Sequence, residues 1–148
     1  MRARSKSKVY FFYEARVSLT DRTRLKEFVA GIFKREGYGL ESLNYIFCSD
    51  EYLLNINRQY LHHDFYTDIV TFELNTPEQP VQGEIYISID RVAENALTHG
   101  SSRLAELHRV IFHGALHLCG YSDKTKAEKT AMRAKEDEYL AKYQKRST

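Results

Sequence analysis

Apolar positions recur along the chain in two rhythms, one of strands and one of helices. Val9–Val17 is dense in aromatic and β-branched residues and predicts a first strand. Leu25, Phe28, Val29, Ile32 and Phe33 then repeat at the spacing of one helical face, opened by Thr20 or Asp21 and closed at Gly37. Ser42–Cys48 reads as a second strand, and Ser49-Asp50 caps a helix carrying Leu53, Leu54 and Ile56 towards Tyr60. After the polar stretch LHHDFYT, Asp68–Leu74 and Gly83–Ile89 predict a third and a fourth strand, joined through NTPEQPVQG. From Asp90 onward the pattern is helical: Asp90–Thr98, then Ser101 or Ser102 to Leu118, then Thr125 to about Gln144.

Strands separated by single helices favour parallel pairing, whereas the third and fourth can pair as a long-looped hairpin. The expected fold class is α+β, a small mixed four-stranded sheet packed with about five helices. No repeat or linker interrupts it, so residues 1–148 are read as one domain with short basic tails. No apolar run approaches the roughly 18–20 residues that span a bilayer. The two cysteines, Cys48 and Cys119, make neither a disulfide framework nor a four-cysteine zinc site. These features lead to the expectation of a cytoplasmic chain with no membrane partner.

Charge changes the picture only through its placement. The formal net charge is +2, but the terminal segments MRARSKSK and KYQKRST hold seven of the 22 basic residues and none of the acidic ones. Fifteen basic residues therefore face 20 acidic ones over residues 9–141. An acidic body argues against a broad basic face wrapped on duplex DNA, and no DNA partner is expected.

The candidate chemistry lies in VIFHGALHLCGYSDK, residues 110–124. His113 and His117 stand four apart on a predicted helix, a spacing at which two neutral imidazoles can reach one divalent ion. Val110, Phe112 and Leu116 make that half of the helix apolar nearly all round, so it should be buried, and buried ring nitrogens need partners. A metal supplies them; two separately satisfied histidines are the plainer alternative. Gly120 can turn the chain back, and five residues after His117 stands Asp123, either a third ligand or a helix cap. Thr125-Lys-Ala-Glu128 fits a capping box by itself, which would free Asp123. Two imidazoles and a carboxylate leave a fourth position open for a water, as a catalytic site requires. His108 falls on the main apolar stripe and reads as a packing residue; Cys119 reads as small and buried.

The segment HGALHLCGYSD closely resembles the H-G-x-L-H-L-x-G-Y-D-H signature of the YbeY family of metal-dependent ribosomal-RNA maturation factors. NRQYLHHDFYTDIVTFELN resembles that family's N-x-x-Y-R-G-K-D-x-x-T-D-V-L-S-F-P segment, and GEIYIS its G-D-I-x-I-S strand. The likeness runs from about Asn55 to Tyr139. Two departures stand out. Asp123 occupies the place of the family's third histidine, with Ser122 in place of the preceding Asp, and Leu61 occupies the place of an arginine for which Arg58 is a candidate substitute. The resemblance implies a zincin-like fold holding one zinc ion per chain on His113, His117 and Asp123; the carboxylate leaves another divalent transition metal open.

The implied activity is a single-strand-specific, metal-dependent endoribonuclease that acts on a phosphodiester through a metal-bound water. Its expected role is 16S ribosomal-RNA 3′-end maturation and ribosome quality control, with ribosomal RNA and the small ribosomal subunit as partners. Arg58, His62 and His63 are the candidate RNA contacts. No general base is assigned, with Glu73 and Glu84 as strand carboxylates to consider. Two alternatives stay open: a non-catalytic assembly factor with a structural metal, and a metallopeptidase-like hydrolase. Against the peptidase, Gly114 stands where an H-E-x-x-H enzyme carries its glutamate.

Overall fold

A computed structural model describes residues 8–145; most of the two basic tails, residues 1–7 and 146–148, lies outside the described residues. Among the described residues, five helices pack with one four-stranded sheet of order β1-β2-β4-β3. The strands are β1 (Val9–Tyr13), β2 (Leu40–Cys48), β3 (Ile69–Glu73) and β4 (Val81–Ser88); β1–β2 and β2–β4 pair in parallel, and β3–β4 antiparallel. The mixed sheet thus follows from the helix between β1 and β2 and the proline-bearing loop between β3 and β4. β1 stops four residues short of the predicted Val17. The amides of Glu14 and Ala15 both donate to the Phe47 carbonyl, which ends the ladder in a bend.

The first helix, α1 (Arg22–Arg35), begins after Asp21, which takes a left-handed conformation and makes no side-chain cap. It ends in a Schellman turn: the Tyr38 amide donates to Phe33 O and the Gly37 amide to Lys34 O, with Gly37 at φ 85°. α2 (Asp50–Ile56) is capped by Ser49 and runs into a π-helical turn, Asn57–Leu61. α3 (Ile89–His99) and α4 (Arg103–Leu118) are capped by Ser88 and Ser102, each accepting from the amide three residues on.

α5 (Lys126–Lys145) opens on a closed capping box. Glu128 Oε1 accepts from the Thr125 and Lys124 amides while Thr125 Oγ1 accepts from the Glu128 amide. Lys142 and Lys145 form its last turn, where cations complement the helix dipole.

α4 is the axis of the core. Leu107, Val110, Ile111, Phe112, Ala115, Leu116 and Leu118 are all buried in one cluster with β2, β4, α1 and α5. Gly114 sets how closely α4 approaches the sheet: a Cβ there would lie 2.7 Å from Ile85 Cδ1 and 3.1 Å from Ile69 Cδ1. The Tyr45 hydroxyl donates to Ile111 O at 2.8 Å, closing the same contact. On the far face of the sheet, α2 covers a smaller cluster of Cys48, Leu53, Ile56 and Val70.

Candidate active site

The C-terminal half of α4 places its two histidines through different constraints. His113 lies in a cavity of about 500 Å³ bordered by Asp68, Asn95, His99, Glu106, Arg109, Asp123, Lys129, Arg133 and Glu136, among others. Its Nδ1 sits 2.6 Å from Glu136 Oε2, and the other oxygen of that carboxylate accepts from Arg109 Nη1 at 2.9 Å. Glu136 is only 4% exposed, so the pair Arg109–His113 is what makes its buried charge tenable. A carboxylate at Nδ1 fixes the imidazole with that proton on Nδ1 and turns Nε2 towards the cavity.

Nε2 of His113 meets Asp123 Oδ2 at 3.3 Å. Asp123 reaches it because the α4 turn is tightly specified. Tyr121 N donates to Leu116 O and Gly120 N to His117 O, a second Schellman turn with Gly120 at φ 96°. Tyr121 is pinned in turn by its hydroxyl, which donates to Glu36 at 2.9 Å. The capping box serves the start of α5, and the Asp123 side chain is left to face His113.

Burial disfavours a charged imidazole at His113, but the hydrogen bond to Glu136 and the charges of Glu136, Asp123 and Asp68 outweigh it and raise its pKa. The opposite balance holds at Asp68, where burial is the largest influence and lifts the carboxyl above its usual range against the lowering pull of His113.

His117, one turn further on, is exposed and borders a separate hollow with Glu73, Gly37 and Pro80. Its Nδ1 lies 3.1 Å from Tyr121 O, so its Nε2 is also the free nitrogen. Among the described residues, no three His, Cys, Asp or Glu side chains stand together as a complete ligand set. The structure brings His113 and Asp123 together and leaves His117 apart from them, one turn further on and bordering a different hollow. The donor chemistry fits a divalent ion. Both imidazoles have Nδ1 engaged and Nε2 available, and 3.3 Å is close to the separation that two ligands about 2.0–2.1 Å from one tetrahedral zinc must keep.

The remaining candidates lie outside the cavity. Arg58 is exposed and paired with Asp64 at 2.5 Å, His62 ends the π turn in a left-handed conformation, and His63 stacks on Phe65. Glu73 is exposed, and Glu84 accepts from the Tyr86 hydroxyl on the face of β4 opposite Gly83 and Ile85. His108 is buried on Phe112 and Tyr143. Sequence reasoning missed Glu136, Arg109 and Asp68. A signal for Asp68 was present in its place within the TDIVTF match; Glu136 carried none beyond being an acid on a buried helical face.

An α+β frame brings the His113 imidazole and the Asp123 carboxylate together in one solvent-open cavity, with Asp68, Glu106 and Glu136 and two exposed cations, Lys129 and Arg133, around them: a charged lining of the kind enzymes use for acid–base or metal chemistry. A family model described as Endoribonuclease YbeY matches residues 12–144. Endoribonuclease YbeY of Cytophaga hutchinsonii is 50% identical over 134 residues, covering 90% of this chain and 94% of that relative. Its namesake in Flavobacterium psychrophilum is 43% identical over 132 residues, 89% of this chain and 94% of that one. The solution structure of TM1509 from Thermotoga maritima matches with a TM-score of 0.65 at 28% identity, covering 91% of this chain and 88% of its own. The chain belongs to the YbeY family.

Proposed function

We propose that this protein is a metal-dependent endoribonuclease that hydrolyses single-stranded RNA, acting in the cytoplasm on the 3′ end of small-subunit ribosomal RNA. Residues 1–148 act as one unit. The observation that carries the reading is the His113–Asp123 pair, with His113 held by the buried Glu136–Arg109 couple in a cavity open to solvent. Membership of a family named for endoribonuclease activity supplies the substrate class.

His113, His117 and Asp123 are the residues that would hold the ion, zinc or another divalent transition metal. Bound there, it would activate water and polarise a phosphoryl oxygen. The chain's own side chains do the rest. Glu136 and Arg109 hold the His113 ring in one orientation. Lys129 and Arg133, one turn apart at the rim, attract the phosphate backbone. Asp68, raised in pKa by burial, is the cavity carboxylate suited to take a proton from the attacking water and return it to the departing ribose oxygen. One P–O bond forms as the other breaks.

Gly114 weakens the peptidase alternative further than its lack of an acid does. The position faces Ile85 and Ile69 at distances that leave no room for a glutamate. The deciding experiment incubates the protein with an unpaired and a fully paired RNA carrying the small-subunit 3′ sequence, before and after chelation, with thermal melts alongside. Cleavage of the unpaired RNA alone, lost on chelation while the fold persists, supports the proposal. A protein that unfolds on chelation and cleaves nothing beforehand is a structural-metal assembly factor instead.

A further inference from the structure

The loop that follows the π turn, residues 62–67, is held in place at several points. The His63 amide donates to Asn57 O at 3.0 Å, and the fully buried Asn57 donates through Nδ2 to Thr67 Oγ1 at 2.9 Å. Arg58 pairs with Asp64 across the loop, and the Tyr66 hydroxyl donates to Glu51 at 2.7 Å. A loop fastened this way nonetheless presents aromatic rings to solvent. Phe65 is 54% exposed, Tyr66 42% and Tyr60, on the preceding turn, 62%. The Phe65 ring lies nearly parallel to His63, 17° apart at a centroid distance of 4.8 Å, and the Arg91 guanidinium sits 4.9 Å over the Tyr66 ring.

This patch is continuous with the active-site cavity. Thr67 and Asp68, the next residues along the chain, line that cavity. Phe65 therefore lies within three residues of Asp68, a reach of roughly 10 Å at most. A second connection runs along α3, where Arg91 covers Tyr66 and Asn95, one turn on, lines the cavity and donates to Asp68 at 3.5 Å.

We propose that Phe65, backed by His63, is a stacking platform for an unpaired base of the RNA strand entering the cavity, with Tyr66 and Tyr60 extending it. This rests on the endoribonuclease reading and adds how the strand is chosen. A flat ring with an exposed face suits any unpaired base, whereas a base inside a duplex has both faces covered by its neighbours. The ordering cost is already met by the loop's own hydrogen bonds, so the face is ready before RNA arrives. Arg91, held between Asp50 at 3.2 Å and Glu94, lies over Tyr66 and braces that ring rather than offering an unpaired charge to the strand.

The protein contains no tryptophan, so Phe65→Trp installs a single indole reporter at the platform. Its emission is expected to be quenched by a short oligoadenylate, but not by the same strand in a duplex nor by an abasic strand of equal charge. Phe65→Ala is expected to raise KM for unpaired RNA by about 5- to 150-fold, with a smaller change in kcat and an unchanged melting temperature. An abasic strand that quenches as well as the adenylate, no quenching by any strand, or an unchanged KM in Phe65→Ala each overturns the platform. Absence of cleavage by the wild-type protein counts against the nuclease reading instead, and the emission titration, which needs no turnover, still decides whether bases stack.

Discussion

Two histidines five residues apart on α4 meet opposite environments. His108 packs its ring on Phe112 and against Tyr143, and its Nε2 is buried with no hydrogen-bond partner. Burial pushes its pKa down to about 4, with Arg24 of α1 pushing in the same direction. His113 is half-buried, and burial also works against its charge, yet the hydrogen bond to Glu136 and the charges of Glu136, Asp123 and Asp68 raise it. The apolar stripe in the sequence was enough to place His108 in the core. The partner of His113 was not legible, because Glu136 lies 23 residues away on another helix and reaches the ring only through packing of α5 on α4. A buried neutral His108 has a consequence for acid stability. The unfolded chain takes up this proton below its ordinary value near 6.5, and the folded chain only near 4, so stability present above pH 6.5 is lost as the pH falls towards 4. His108→Phe, which keeps the aromatic packing, should remove about 1–2 kcal/mol of the loss between pH 7.5 and pH 5 in urea unfolding. A variant with the same pH slope as the wild type would show that His108 does not carry it.

At the scale of elements, the strands, the helices and most of their caps could be read from periodicity and local side-chain chemistry. Ser49 and Ser102 cap where a hydroxyl precedes an apolar-periodic run, and Thr125–Glu128 forms the capping box that its spacing predicts. Ser88, which the alternation placed inside the fourth strand, ends that strand and caps α3, and Asp21 opens α1 without a side-chain cap. Less legible were features decided between elements. The early end of β1 depends on the Phe47 carbonyl of β2 taking two amides, and the π turn after α2 depends on Asn57 binding Thr67 across the loop. The turn at Gly120 joins both levels. Its φ of 96° favours glycine, and a Cβ there would stand 2.8 Å from the Tyr38 hydroxyl. Gly120→Ala should therefore cost about 1–3 kcal/mol in chemical denaturation. It should also weaken metal binding, because Asp123 is aimed by this turn; an alanine variant with unchanged stability would show that the turn is not under this constraint.

The whole molecule carries its positive charge locally. Its body is acidic by sequence, and among the described residues no helix is long and apolar enough to cross a membrane. Lys129 and Arg133 nevertheless bring two cations to the rim of a cavity that also holds Asp68, Glu106, Asp123 and Glu136. A small positive focus beside a carboxylate-lined cavity suits a strand held at one phosphate rather than a duplex held along its length. The double variant Lys129→Ala/Arg133→Ala should bind unpaired RNA more weakly, with a salt dependence shallower by about 1.4 in log–log slope. An unchanged slope would place the backbone contacts elsewhere.

All of this turns on whether His113, His117 and Asp123 share a metal ion. Metal content of the purified protein beside its Asp123→Ala variant measures that directly. One transition-metal ion per chain in the wild type and a large loss in the variant is the expected result; a metal-free wild type, or a variant with undiminished content, would contradict it.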